Sequence, residues 1–208
     1  MTSSPAFPRA RWVALALLVV YLATYTRVYG LANFLFLCNL SVVLVVAGLW
    51  AGSALLLSSQ AVGILLVGVA WGLDVLSWFV LGVHAIGGTE YMWDPRYPLF
   101  ARLLSLYHVV LPVTLFWALR RVGYDRRGYA LQCLIAIVGV ALGRWFPAEM
   151  NLNGAWSDPI FDRTWGGPLV QVAVVSGFLI AFVYPVAHAV LSRVLPPAPS
   201  RRSPASVS

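Results

Sequence analysis

Apolar residues run almost unbroken through six stretches of this chain, 11–30, 32–50, 54–84, 98–119, 129–146 and 168–194. Polar and charged residues are gathered into the short segments between them. Several of the stretches reach or approach the roughly 20 residues that an α-helix needs to cross the hydrocarbon core of a bilayer. The pattern predicts an all-α fold, a polytopic membrane helix bundle with six transmembrane helices. The third stretch is the longest. Ser58-Ser59-Gln60 near its start and Asp74 inside it are compatible with a tilted, kinked or partly interfacial helix, and splitting it would give seven spans.

Charge decides between six and seven. With six helices and a cytoplasmic N-terminus, one side collects Arg9, Arg11, Arg120, Arg121, Arg126, Arg127, Arg193, Arg201 and Arg202. The other side collects Glu90, Asp94, Glu149, Asp158 and Asp162. A seventh span would put Arg9 and Arg11 opposite the Arg120–Arg127 cluster, against the positive-inside rule. Six spans with both termini cytoplasmic is therefore the expectation. Residues 1–10 form a cytoplasmic segment, 11–194 the membrane domain, and 195–208 a Pro/Ser-rich disordered cytoplasmic tail. Residues 24–30 (TYTRVYG) lack a small-x-small cleavage pattern, so the first apolar run reads as an uncleaved helix in a multi-pass protein of the cell membrane, the inner membrane if the source is bacterial.

Composition agrees. Of 208 residues, 61% are hydrophobic and 10% charged, against about 25% charged in a soluble domain. The net charge of +7 comes from arginine alone. Its placement beside apolar runs needs no nucleic-acid partner, and membrane lipids are the partners expected. Two cysteines, Cys38 and Cys133, make no disulfide framework, and no ligand spacing calls for a metal or other cofactor.

Candidate chemistry lies inside the spans. At about 1.5 Å rise per residue, Cys38 falls about 10 Å below the exterior start of the second span, and Asp74 and His108 about 15 Å below that face. Cys38, Asn39, Asp74 and His108 thus share the outer half of the membrane. Gln60, Val67, Trp71, Asp74 and Trp78 fall on one face of the third helix, a polar and aromatic wall. A thiol and an imidazole make a nucleophile–base pair. The expected site has Cys38 as nucleophile, His108 as base, and Asp74 as His108's partner, orienting the imidazole. Asn39, Ser41 or a backbone amide would stabilise the oxyanion, with Gln60 and Trp71 lining the cavity. Pro112 removes a hydrogen bond one turn after His108 and frees a carbonyl there. His84 and Arg27 lie at exterior helix ends, His188 and Cys133 near the cytoplasmic face.

Certain short motifs carry a resemblance. Residues 34–40 (FLFLCNL), 107–112 (YHVVLP) and 151–161 (NLNGAWSDPIF) occur in an order and six-span layout that resembles the androgen-induced family of intramembrane lipid hydrolases and the related YwaF-like integral membrane proteins. Phe36-Leu37-Cys38-Asn39 stands where the bacterial relatives tend to have His-Leu-Cys-Asp. The resemblance implies a nucleophile at Cys38 and a catalytic histidine at His108 acting on lipid-like esters, as a hydrolase or an acyltransferase; it does not supply Asp74. Two other readings fit the same residues. One is a non-catalytic scaffold or lipid-binding assembly partner in which Asp74 and His108 join helices, and the other is a proton-coupled carrier.

Overall fold

The computed structural model describes residues 6–158, 160 and 163–199. Asp162, Arg201, Arg202 and most of the expected tail lie outside that range. Among the described residues eight α-helices follow in order: α1 (Ala10–Tyr29), α2 (Leu37–Ala51), α3 (Ala54–Leu81), α4 (Leu99–Leu104), α5 (Tyr107–Val122), α6 (Gly128–Gly143), α7 (Pro168–Phe178) and α8 (Tyr184–Val194). No strand forms among the described residues.

Four helical segments are long and apolar enough to cross a membrane: Ala10–Tyr29, Ala54–Leu81, Leu99–Val122 and Pro168–Val194. Leu37–Ala51 and Gly128–Gly143 are apolar but shorter. Large apolar side chains such as Leu17, Phe79, Val113 and Phe182 face outward, the surface that a bilayer rather than water would cover. The chain is a membrane protein on these grounds.

α3 runs as one uninterrupted helix of 28 residues from Ser53, whose hydroxyl accepts the Leu56 N–H and caps it. It is the central helix, with α2, α5, α6 and α8 packed around it. Its closest partner is α5, and the reason is local chemistry. Pro112 cannot donate to the His108 carbonyl, and that carbonyl instead lies against Gly68 of α3. A Cβ at Gly68 would sit 2.3 Å from it.

Three of the expected continuous helices are interrupted. A 3-10 turn at Leu31–Leu35 and an extended Phe36 precede α2, so the second span begins later than the apolar run. α4 and α5 are separated at Ser105-Leu106, where bonds three residues apart replace those four apart. A π turn at Leu179–Val183 joins α7 to α8. Pro185 comes two residues after it, and its ring cannot sit against the carbonyl four residues earlier, which favours the wider turn.

Arginine-bearing segments meet at one end of the bundle. Phe7 packs on Trp117, the Trp50 indole donates to the Arg11 carbonyl at 3.1 Å, and Asp125 N–H donates to Ser58. Residues 195–199 are not free here. Leu195 is buried, and Pro196 and Ala198 exchange backbone hydrogen bonds with Tyr124. Burial raises the Tyr124 phenol to about 12, so it remains a neutral hydroxyl hydrogen-bonded to His188.

Candidate functional site

At the end away from Arg9, Arg11, Arg120, Arg121, Arg126, Arg127 and Arg193, the first turn of α2 presents Cys38. Asn153, in the segment between α6 and α7, sets its position. Its side-chain oxygen accepts the Leu37 N–H at 2.8 Å, and its amide donates to the carbonyls of Leu35 and Gly139. One of the orphan N–H groups of the helix start is thereby satisfied by a side chain 116 residues away. The Cys38 thiol is directed toward the Asn39 side-chain oxygen at 4.0 Å, and the backbone N–H groups of Cys38 and Asn39 belong to the first turn of α2, where no intrahelical acceptor is available.

His108 sits at the start of α5. Its Nδ1 lies 2.9 Å from the Ser105 carbonyl. A carbonyl only accepts, so Nδ1 carries the hydrogen and Nε2 is the basic nitrogen. The ring is held between Tyr107, at 4.1 Å and 25°, and Trp71 of α3, at 5.0 Å and 10°. The Trp71 indole in turn donates to the Tyr91 hydroxyl at 3.1 Å.

Cys38, Asn39, Trp71 and His108 all line one cavity of about 410 Å³. Tyrosines dominate the rest of its wall: Tyr25, Tyr29, Tyr91, Tyr97 and Tyr107. Tyr25 shares a 2.7 Å hydrogen bond with Ser105. Burial raises the Tyr91 phenol to about 12, which keeps it neutral. A second cavity of about 410 Å³, almost wholly apolar, runs between α2, α3 and the π turn, past Ile64, Val67, Val174, Phe178 and Leu179. Among the described residues, Cys38 alone lines both.

Several expectations change. Asp74 does not meet His108. Its Oδ1 accepts the N–H groups of Ile86 at 2.7 Å and Gly87 at 2.8 Å. Its Oδ2 accepts from Thr89 and pairs with His84 Nδ1 at 2.9 Å. The segment after α3 folds back, with positive φ at Gly82, Gly87 and Gly88, and wraps the carboxylate. An ionised acid within a span costs about 2.5–3.5 kcal/mol on insertion scales, and these four donors offset that cost without His108.

Asn39 is a hub rather than an open donor. Its oxygen accepts from Tyr21 at 2.9 Å and from Tyr107 at 2.5 Å, and its amide donates to the Asn33 carbonyl. The Ser41 hydroxyl donates back to the Leu37 carbonyl at 2.8 Å, one turn earlier in α2. Gln60 lies toward the arginine end, in a buried chain from Ser59 through Gln132 to Tyr184. It is roughly 16 Å along α3 from Trp71. The oxyanion position that remains is the pair of backbone N–H groups at Cys38 and Asn39.

Sequence reasoning missed Tyr107, Ser105, Asn153 and the tyrosine wall. One signal was available: Tyr21, Tyr25 and Tyr29 recur every four residues, which places them on one face of α1. Among the described residues no cluster of His, Cys, Asp and Glu could hold a metal ion. No family model, curated protein or solved structure matches the chain.

Proposed function

We propose that this chain is a multi-pass protein of the cell membrane, with six spans and both termini cytoplasmic, that cleaves or transfers acyl esters of membrane lipids. Cys38 is the nucleophile and His108 the base. The observation that carries the reading is the position of Cys38 at the seam of two cavities, a more polar one holding His108 and an apolar one of about 410 Å³. Both volumes fall in the range usual for small-molecule sites, about 300–1,000 Å³. The greater share of the described arginines at one end of the bundle, Arg9, Arg11, Arg120, Arg121, Arg126, Arg127 and Arg193, supports the cytoplasmic assignment of that end.

The Cys38 sulfur attacks the ester carbonyl carbon, and its proton passes to His108 Nε2. A sulfur–carbon bond forms, and the carbon–oxygen bond to the alcohol breaks as His108 returns the proton to the departing oxygen. Water then cleaves the thioester in a hydrolase, or a second alcohol takes the acyl group in a transferase; either restores the thiol. Negative charge on the carbonyl oxygen faces the N–H groups of Cys38 and Asn39. The Ser105 carbonyl takes the orienting role expected of Asp74.

Treatment of the purified full-length protein with a β-lactone bearing a long alkyl chain tests this directly. Cys38→Ala abolishes covalent labelling and His108→Ala slows it at least tenfold. Labelling that persists in both variants overturns the reading.

A non-catalytic lipid-binding scaffold is the second reading. It is favoured by the commitment of Asp74 and Asn39 to hydrogen bonds within the protein. It requires Cys38→Ser to retain both lipid binding and every cellular phenotype.

A further inference from the structure

We infer that the ester handled here is neutral and hydroxyl-bearing, of the monoacylglycerol class, with its acyl chain in the apolar groove and its alcohol among the tyrosines. The inference rests on the acyl-ester reading above and adds the chemistry of the two halves of the substrate.

The alcohol side is set by what lines the polar cavity. Its wall holds phenols, an indole, amides, a hydroxyl and a neutral imidazole, with no arginine, aspartate or glutamate among the described lining residues. Arg102 is a cation near Tyr29; it lies outside the lining, its Nη1 donates to the Met92 carbonyl at 2.8 Å, and its buried Nε has no hydrogen-bond partner among the described residues. A phosphate moved into such a cavity would lose its hydration with no cation in the lining to replace it. Aromatic faces would receive the ammonium of a phosphocholine, yet its phosphate would remain unpaired.

A hydroxylated alcohol matches what the wall offers. The Tyr29 hydroxyl is shielded from solvent and has no hydrogen-bond partner among the described residues, a costly arrangement unless a ligand supplies the acceptor. Tyr91, held neutral by burial, stays a hydroxyl rather than a phenolate. Glycerol carries hydroxyls that both donate and accept, and it leaves Cys38 as a neutral alcohol once His108 has returned its proton.

The acyl side is set by the groove. From Val174 to Tyr184 its wall follows α7, the π turn and the start of α8. That length is roughly 15 Å at the helical rise, about half of a 30 Å hydrocarbon core. It corresponds to the depth of one leaflet, where a single acyl chain lies. Cys38 at the junction meets the carbonyl that joins chain to alcohol.

The full-length protein in detergent micelles is given 1-monooleoylglycerol, 1-oleoyl-lysophosphatidylcholine or 1-oleoyl-lysophosphatidic acid, and oleate release is followed. The expected kcat/KM is at least tenfold higher for monooleoylglycerol, and Tyr29→Phe reduces that preference about fivefold, the loss of one hydrogen bond. Equal or faster cleavage of either phospholipid, or an undiminished preference in Tyr29→Phe, overturns the inference. Absence of Cys38-dependent cleavage of all three esters overturns the catalytic reading instead. Binding of tritiated 1-O-hexadecylglycerol, which has no ester, then decides the headgroup separately. Displacement by the phosphocholine ether at equal concentration overturns the neutral-headgroup assignment, and resistance to it supports that assignment.

Discussion

Trp71 and His108, on different helices, stack face to face with ring centroids 5.0 Å apart and planes inclined by 10°. Tyr107 closes the other face of the imidazole, and the Ser105 carbonyl holds Nδ1. The ring is fixed in orientation and tautomer by three neutral groups, so no carboxylate is needed to aim its Nε2.

Loss of the Trp71 face therefore acts on both packing and chemistry. Trp71→Ala destabilises the protein by about 3–5 kcal/mol, the usual cost of truncating a buried large aromatic residue. Trp71→Phe keeps an aromatic face and costs less than half as much. Chemical unfolding in detergent measures both values, and the ester-cleavage rate falls in the same order.

Asp74 ties the segment after α3 to the helix rather than serving His108. Asp74→Leu strands the N–H groups of Ile86 and Gly87, the Thr89 hydroxyl and His84. Each stranded buried group costs about 1–3 kcal/mol. The expected outcome is lower folding yield and rapid proteolysis within residues 82–98. Once folded, Asp74→Asn retains Cys38 labelling, because the carboxylate does not line the cavity.

The helical segments, the lone acid inside a span and the shared wall of Cys38 and His108 are visible in the hydrophobic pattern, because uniform apolar runs have few ways to be arranged in a bilayer. The breaks are not visible. Phe36 ends the 3-10 turn and α2 begins because Asn153, 116 residues away, takes the Leu37 N–H, and no local periodicity encodes that contact. The partner of Asp74 was misassigned for a similar reason. Depth along a helix axis brings His108 level with Asp74, but glycines 82, 87 and 88 let the chain fold back and deliver His84 first. Ser41 faces a choice that sequence leaves open, between a ligand and its own helix, and it bonds the Leu37 carbonyl.

Asn153 is the residue that positions Cys38 from a distance. Asn153→Ala leaves the Leu37 N–H and the Leu35 and Gly139 carbonyls without their partner, at a cost of about 2–4 kcal/mol. The first turn of α2 loosens as a result. Cys38 then reacts with N-ethylmaleimide several-fold faster than in the wild-type protein, while Cys133, six residues before Gly139 in α6, keeps its rate. Equal rates at Cys38 in both proteins would show that another contact holds the turn.

Two glycines one turn apart on α3 separate close packing from helix propensity. At Gly68 a new methyl group would lie 2.3 Å from the His108 carbonyl oxygen and 2.9 Å from Pro112, and the backbone atom cannot swing aside. At Gly72 the nearest atom is a Val109 methyl at 3.9 Å, an ordinary contact. Gly68→Ala therefore forces α3 and α5 apart, costs about 1–3 kcal/mol, and displaces His108 from Trp71. Gly72→Ala has no clash to overcome and gains helix propensity, about 0.8–1 kcal/mol in an exposed helix interior. Unfolding curves of the two variants should move in opposite directions from the wild-type curve. A stable Gly68→Ala protein with full Cys38 labelling would mean that the crossing of α3 and α5 does not hold the site.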